Sequence, residues 1–293
     1  LKAQIIFASV ISLYGVIQYI ALDMPTLETR IRGTSTHVMT YSGLLLPMSL
    51  VLLVLWMYRP RVVWLGAATF IVSLALLLTY TRSAWLGWAV AVFVLLAIKR
   101  ARWLPYAAAA ALLFVAFMPM DFFARLVSAA DVRQSSNLDR LRMAEAGIEI
   151  IKDEPVFGVG PAYIKEIYPL YRRADAPRFR PPHLHNNVIQ LWAERGIPGL
   201  TAYVLLIGLF LRECVRGWGG PNRRYAEAGV AMTVALAVAG LFEFNYGDTE
   251  VFYLMLELMA LLVAFLERPA DSATNEVRPA VVAAGPEPAL ARP

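Results

Sequence analysis

Histidine is the residue type in this chain that is best suited to move a proton. The three histidines, His37, His183 and His185, all fall between apolar runs on one predicted face of the molecule, so they could share one site. An imidazole exchanges protons near neutral pH and can act as a general base. We expect His185 to have this role, with the following Asn186 orienting the ring or capping a helix. The alternative is that His185 is a structural cap or an interfacial residue.

Arg82 is the candidate for binding an anion. It occupies a very short connection between two apolar runs, where a charged group would cost about 2.5–3.5 kcal/mol if it reached the bilayer centre. A planar guanidinium can bind two phosphate oxygens at once, so Arg82 indicates a phosphate site at the membrane surface. The alternative is that the side chain only extends to the lipid headgroups.

Further arginines on the same predicted face add positive charge. They are Arg30, Arg32, Arg140, Arg142, Arg172, Arg173, Arg178 and Arg180. Loops on the outer side of a membrane are usually poor in Lys and Arg, so this set could serve a ligand. For the block from Arg172 to Arg180, a solvated loop balanced by Asp175 and neighbouring acids is an equally good explanation. We expect substrate to be bound by Arg32, His37, His183, Asn186, Arg142, Arg178 and Arg180.

The sequence predicts no cofactor. A metal site built from His37, His183 and His185 is an alternative, but no run of acidic ligands lies beside them. No glycine-rich phosphate loop, serine nucleophile motif or Cys/His pair is present. The single cysteine, Cys214, excludes an intrachain disulfide.

Composition shows that these residues belong to a membrane protein. Of the 293 residues, 59% are hydrophobic and only 17% are charged, against about 25% charged in soluble domains. The mean hydropathy is +0.56. The net charge of +5 would suggest nucleic acid in a soluble domain, but here Lys and Arg are first of all signals of membrane topology, and no nucleic-acid partner is expected.

Apolar runs of spanning length predict about eight transmembrane helices. They cover residues 3–22, 38–58, 62–80, 83–98, 104–120, 197–215, 226–246 and 251–266. We therefore predict an all-α polytopic bundle in four parts: five spans in residues 1–120, a large partly helical outer loop in 121–196, three spans in 197–266 and a disordered cytoplasmic tail in 267–293. The chain begins on an apolar Leu1, and we expect further N-terminal sequence.

The short basic loops set the predicted orientation. Lys and Arg are concentrated in three short connections, at residues 59–61, 99–102 and 212–224. These connections should therefore face the cytoplasm. We expect the outer loop to contain a helix. Ser136 and Asp139 form a possible capping box at its start, and Pro155 prevents it from continuing. A second, short helix is expected over 163–171. Residues 186–195 predict an interfacial helix that breaks at Gly196 before the next span.

Four strings in order resemble the O-antigen ligase and O-antigen polymerase family of bacterial envelope proteins. They are RGT at 32–34 running to His37, TRSAWLG at 81–87, KDEPVFGVG at 152–160, and HN at 185–186 continuing to ERGIPGL at 194–200. The similarity extends from Arg30 to about Leu266. It implies that Arg82, Arg140 and His185 are catalytic. It also implies that Arg32 corresponds to the arginine that the family has in its first outer loop. Where the family often has a tryptophan one turn after Arg140, this chain has Ala144.

The resemblance implies a metal-independent glycosyltransferase in lipopolysaccharide biosynthesis. Such an enzyme moves a glycan from undecaprenyl diphosphate to an acceptor at the periplasmic face of the bacterial inner membrane. We expect an O-antigen ligase acting on lipid A-core. The alternatives are an O-antigen or exopolysaccharide polymerase, a protein O-oligosaccharyltransferase and, from another class, a non-enzymatic transporter or flippase. Family members usually have more spans than the eight predicted here, which also suggests that N-terminal sequence is missing.

Overall fold

The computed structural model describes residues 1–21, 30–117, 120–128, 131 and 134–268. Every regular element in these ranges is helical, as the sequence predicts. The predicted tail lies outside the described residues from position 269 onward. The α-helices are α1 (Lys2–Ala21), α2 (Val38–Tyr58), α3 (Val63–Leu78), α4 (Arg82–Lys99), α5 (Leu104–Phe117), α6 (Met120–Val127), α7 (Ser135–Asp153), α8 (Ile164–Tyr171), α9 (Asn187–Gly217), α10 (Arg223–Ala239) and α11 (Thr249–Leu266).

Four of these helices are long and apolar enough to cross a membrane, namely α1, α2, α9 and α11. Two more, α3 and the apolar part of α4, have the same character but are shorter. A spanning helix needs about 20 residues, or somewhat fewer where the bilayer is thin. The helical membrane fold is therefore confirmed, whereas the count of eight spans stays a prediction.

Helix α10 packs closely against α2 and α4 because its buried face is built from small residues. Ala228, Ala231 and Ala235 are fully buried on this face. A Cβ on Gly87 of α4 would overlap the backbone carbonyl of Ala235, so the two helices approach at backbone distance there. Small residues allow this kind of van der Waals packing between membrane helices. The result is a tight α2–α4–α10 core whose ends position the polar residues.

One end of this core carries the basic short loops. The buried carboxylate of Glu227 accepts a hydrogen bond from Arg223 Nε at 2.7 Å, and Arg100 Nη2 lies 4.0 Å from the same group. Arg100 also lies over the Tyr58 ring. These contacts gather the end of α2, the end of α4 and the start of α10. The histidines of the 183–185 segment lie at the other end of the core.

The predicted loop helices are present, but one predicted start is wrong. Helix α7 begins at Ser135, with Gln134 as its N-cap and no side-chain capping bond, so Ser136 and Asp139 do not form a capping box. The hydroxyl of Ser136 instead accepts a hydrogen bond from Arg82. A guanidinium is a stronger donor than a backbone amide, which explains the change of partner. Helix α7 ends at Asp153 and α8 covers Ile164–Tyr171, as expected.

The expected break at Gly196 is confirmed and shapes α9. Gly196 has φ 60° and ψ −159°, a backbone conformation that is essentially restricted to glycine. The kink is held by the loop that follows α7, because Ile197 N donates to Val156 O at 3.0 Å and Val159 N donates to Ala193 O at 2.9 Å. The kink divides α9 into a short part before Gly196 and a longer part after it, which is the part that can span the membrane.

Helix α10 is shorter than predicted. The apolar run to residue 246 predicts a continuous span, but the helix ends at Ala239 and a turn follows, with a short 3-10 helix at Asn245–Gly247. The backbone carbonyl of Gly240 accepts a hydrogen bond from Asn187 N at 2.7 Å, which binds the end of α10 to the start of α9. The turn thereby brings Glu243 out of the span and toward His185.

Candidate active site

The candidate site lies where α2, α4 and α11 begin and α10 ends. Its centre is His185, whose Nδ1 lies 2.9 Å from Glu243 Oε2. Both side chains are largely buried, with 12% and 6% of their surfaces exposed. When a carboxylate accepts from Nδ1–H, the neutral ring keeps its proton on Nδ1 and leaves Nε2 as the basic nitrogen. The pair therefore presents a proton acceptor at Nε2.

The backbone around His185 is fixed by neighbours on both sides. The side chain of Asn186 accepts from Ile189 N at 3.0 Å, the helix cap that the sequence predicts, and donates to Leu241 O at 3.0 Å. Asn187 Oδ1 accepts from Tyr246 N. His185 itself has φ 52°, in the left-handed region that non-glycine residues rarely adopt. Such conformations persist only where the surroundings impose them.

His183 packs beside this pair as a neutral ring. Its ring centroid lies 4.2 Å from that of His185 in an edge-to-face arrangement and 5.9 Å from that of Phe244. Burial, and then the neighbouring His185, lower the pKa of His183 from 6.5 to about 4. His183 therefore carries no charge at neutral pH and supports the His185 ring by packing.

Arg140 joins the same carboxylate from α7. Its Nη2 forms a short ion pair with Glu243 Oε1, and its Nε donates to Phe242 O at 2.9 Å. Burial would raise the pKa of Glu243, but the hydrogen bond from His185 and the charge of Arg140 outweigh burial and lower it. Glu243 is thus ionised at neutral pH and links the imidazole to the guanidinium.

Arg82 is held by neutral oxygen atoms. Arg82 is the first residue of α4 and reaches the start of α7. Its Nη1 donates to Ser128 Oγ and Gln134 Oε1 before this helix, and its Nη2 donates to Ser136 Oγ and Asn137 Oδ1 in the first turn, at distances from 2.7 to 3.1 Å. These contacts direct the guanidinium into the protein, whereas a headgroup-seeking side chain would point away from it. The four acceptors carry no formal charge, so the positive charge of Arg82 is not neutralised by them.

Two further arginines complete the positive cluster. Arg30, in the segment before α2, interacts electrostatically with Arg125, Arg140 and Glu243. Burial, and then the charge of Arg125, lower the pKa of Arg30. Within the described residues, its buried Nη1 has no hydrogen-bond partner. Arg125, on α6, donates from Nε to Tyr80 O at 3.3 Å, and Arg82 interacts electrostatically with all of the other three.

We call Arg30, Arg82, Arg125 and Arg140 the arginine cluster. Bringing four guanidinium groups together costs electrostatic energy that a bound polyanion would recover. Glu243 contacts Arg140 directly, but a single carboxylate cannot balance four cations. The cluster therefore has the excess positive charge that binding of a polyanion requires.

The structure places the other predicted substrate-binding residues outside this cluster. Arg32 donates to Thr36 O at 3.3 Å within its own loop, and His37 is the exposed N-cap of α2. Arg142 is paired with Glu145 and Asp175, so its charge is largely balanced. The three histidines do not share one site as expected. His183 and His185 lie together, whereas His37 lies near Asp248.

Arg178 and Arg180 lie on the segment that leads to the histidines. Arg178 Nε lies 3.0 Å from Asp139 Oδ2. Arg180 is exposed and lies beside the ring of Phe179, with its Cζ 5.9 Å from the ring centroid. Arg178 also interacts electrostatically with His183, so it lies close to the histidine pair.

Sequence reasoning missed Glu243, Arg125 and the role of Arg30. Glu243 was placed inside a span because the apolar run continues to residue 246. An acid near the end of a predicted span is itself a signal, because ionisable residues in membrane segments usually serve a site. Arg30 and Arg32 are only two residues apart, and nothing in their spacing shows which one points to the cluster.

The residues of the site are suited to anion binding and proton transfer. Within the described ranges, no three His, Cys, Asp or Glu side chains are grouped as metal ligands. The cluster supplies positive charge and hydrogen-bond donors, and the His185–Glu243 pair supplies a base a short distance away. Stabilisation of a leaving anion by preorganised cations is a large catalytic effect at a poorly hydrated site.

Fold and site together define an integral membrane protein, built of helices, with a cationic acid–base site at one end of its bundle. Comparison with known proteins indicates similarity to one family. A family model described as O-antigen ligase matches residues 67–204, a segment that contains Arg82, Arg125, Arg140 and His185. A search of curated proteins finds no match. This match supports the O-antigen ligase family, a family of membrane enzymes that transfer glycosyl groups in lipopolysaccharide biosynthesis.

Proposed function

We propose that this protein transfers a glycan from undecaprenyl diphosphate to lipid A-core, as an O-antigen ligase at the periplasmic face of the bacterial inner membrane. The observation that carries the proposal is the continuous contact from His185 through Glu243 to Arg140 beside the other arginines. A base and a diphosphate-binding cluster are what such a transfer needs. The donor and acceptor are lipid-linked, so the bilayer holds both at one depth and raises their effective concentration.

The arginine cluster would bind the diphosphate of the donor. During transfer, the bond between the sugar C1 and the diphosphate oxygen breaks, and negative charge grows on that oxygen. The guanidinium groups of Arg30, Arg82, Arg125 and Arg140 stabilise this charge more than they stabilise the substrate, which accelerates the reaction. The free Nη1 of Arg30 offers a donor for this purpose. No nucleotide or other cofactor is needed because diphosphate is already a good leaving group.

His185 would act as the general base. A hydroxyl of the acceptor forms the new bond from its oxygen to C1, and its proton passes to Nε2 of His185. The positive imidazolium that results is stabilised by the ionised Glu243, which accepts the Nδ1–H. All groups required by this scheme are protein side chains, and we propose that the transfer is metal-independent.

The basic loops support the orientation of this proposal. Arg100 and Arg223 gather at one end of the α2–α4–α10 core, and the arginine cluster lies at the other. If the short basic loops face the cytoplasm, the site faces the periplasm. This is the side on which we place the transfer.

The experiment that tests the proposal is a reaction in lipid nanodiscs with purified lipid-linked glycan and a set of acceptors. A ligase forms a product with lipid A-core. A polymerase forms longer lipid-linked glycan without it, a protein O-oligosaccharyltransferase needs a polypeptide acceptor, and a transporter forms no new covalent product. Transfer to lipid A-core supports the proposal, and each of the other three outcomes contradicts it.

A further inference from the structure

A buried acid next to Arg140 is not used by the mechanism above. Asp139 of α7 is only 5% exposed, and its Oδ2 lies 3.0 Å from Nε of Arg178. Arg178 is half exposed and lies in the segment of residues 172–185, which connects α8 to α9 and ends with the two histidines. A charged pair with one buried partner is costly to break, because the remaining charge stays buried without a counter-ion.

The base of the same segment is organised by Arg172. Its Nη2 donates to Ala176 O at 3.0 Å, and its guanidinium carbon lies 5.1 Å from the centroid of the Phe179 ring. The segment is therefore folded around a side chain of its own first residue. At its far end, Leu184 N donates to Gln190 Oε1 at 2.7 Å, just before His185.

Three buried polar atoms lie where this segment meets α7 and α8. Asp139 Oδ1, the hydroxyl of Tyr168 and Arg172 Nε are all buried and have no hydrogen-bond partner within the described residues. Burial, and then the charge of Asp139, raise the pKa of Tyr168, so the two groups are electrostatic neighbours. Buried polar atoms are rarely left without partners. The contact between the 172–185 segment and α7 is therefore polar, and its ion pair is Asp139 with Arg178.

We propose that Asp139 is a positioning residue that holds the 172–185 segment against α7 through Arg178, and so fixes His185 relative to Arg140. Asp139 and Arg140 are consecutive on α7. One side chain pairs with the segment that leads to the base, and the other pairs with Glu243, which holds the base itself. The inference rests on the proposed function for its effect on transfer, but the structural contact can be tested without it.

The test compares Asp139→Asn and Arg178→Gln with the wild-type chain and with Glu149→Gln in lipid nanodiscs. Glu149 is an exposed acid on the same helix that pairs with Lys152, and it touches nothing in the site. The first measurement is hydrogen–deuterium exchange of residues 172–186. Loss of the charged pair should raise this exchange roughly tenfold in Asp139→Asn and Arg178→Gln, and leave Glu149→Gln unchanged.

The second measurement is glycan transfer. Both variants should lower kcat by roughly tenfold to a hundredfold, with a much smaller change in KM for the donor, because misplacement of a base affects the chemical step. The double variant should be no slower than the slower single variant, since both changes break one contact. Arg178→Gln keeps the test informative if Asp139→Asn does not fold.

Unchanged exchange of residues 172–186 in Arg178→Gln would overturn the proposal. Raised exchange together with unchanged transfer would overturn the positioning role, because the segment would then be free without consequence for the base. If the wild-type chain shows no transfer, the proposed function fails, and the exchange measurement still decides whether Asp139 holds the segment.

Discussion

Nδ1 of His185 lies 2.9 Å from Oε2 of Glu243, and the other oxygen of that carboxylate is paired with Arg140. One buried acid thus joins the candidate base to the arginine cluster. The acid comes from the turn after α10, the base from the residue before the N-cap of α9, and the arginine from α7. The site therefore exists only when three separate elements meet.

Glu243→Gln should lower kcat by roughly tenfold to a hundredfold. The amide keeps the shape of the side chain but cannot stabilise the imidazolium by charge. The measurement is steady-state glycan transfer in nanodiscs, with Glu250→Gln as control because Glu250 is an exposed acid in the first turn of α11. A Glu243→Gln enzyme with wild-type turnover would show that His185 does not depend on this carboxylate.

Arg82→Lys should lose at least about a hundredfold in kcat/KM although the charge is kept. A lysine ammonium has three donors on one atom and cannot reproduce four hydrogen bonds made by two nitrogens to Ser128, Gln134, Ser136 and Asn137. The start of α7 should then be displaced together with Arg140, which lies on the same helix. Arg216→Lys is the matched control, since Arg216 is an exposed arginine near the end of α9 that pairs with Glu213.

Transfer rates that differ by less than about twofold between Arg82→Lys and the wild-type chain would contradict this account. Such a result would mean that only a positive charge is needed at this position. It would favour the alternative in which the side chain of Arg82 only extends to the lipid headgroups.

The sequence predicted the helices well because their signals are local. Apolar length predicted helices in these runs, Pro155 the end of α7 and Gly196 the break in α9. The capping box at Ser136 failed because a distant arginine competes for the hydroxyl. A local pattern cannot reveal a partner that is 54 residues away in the chain.

The site could be predicted only in part. Residue type indicated Arg82 and His185, and the family resemblance indicated Arg140. The structure brings the three to one end of the bundle. Glu243 carried only the general signal of an acid in an apolar run, because its contact with His185 depends on an early end of α10. Arg30 and Arg32 have the same side chain, and only the path of the loop decides that Arg30 faces the cluster.

Gly196→Ala should destabilise the protein by at least ~2 kcal/mol. At φ 60° and ψ −159° a side chain is strained, and a Cβ would overlap the carbonyl of Val156, which the kink needs as an acceptor for Ile197 N. The measurement is the free energy of unfolding in mixed micelles. Gly208→Ala on the same helix is the control, because a Cβ there meets nothing within 4 Å.

The control should be as stable as the wild-type chain or slightly more stable, since alanine favours a helix by up to ~1 kcal/mol over glycine. Equal stability of the Gly196→Ala and Gly208→Ala variants would show that the kink is not required.

His183 should stay neutral far below the usual pH range of histidine. Its pKa is lowered from 6.5 to about 4, first by burial and then by His185. As the pH falls through 6.5, the unfolded chain gains a proton at this position and the folded chain does not. The stability contributed by the neutral ring is therefore complete above pH 6.5 and is lost between pH 6.5 and about 4.

Nitrogen-15 NMR of histidine-labelled protein measures this directly, since the chain has only three histidines. His183→Gln identifies the resonance by its loss. A midpoint near pH 4 agrees with a buried neutral ring, and a midpoint near 6.5 would mean that His183 is hydrated. The same substitution should reduce the loss of stability between these two values.

The most direct test of the account is single-turnover transfer by His185→Ala, measured together with binding of the lipid-linked donor. The account predicts that donor binding stays close to that of the wild-type chain, because the arginine cluster is intact, while transfer falls by roughly a hundredfold to ten-thousandfold. Transfer at the wild-type rate with bound donor would contradict it, because another group would then remove the acceptor proton.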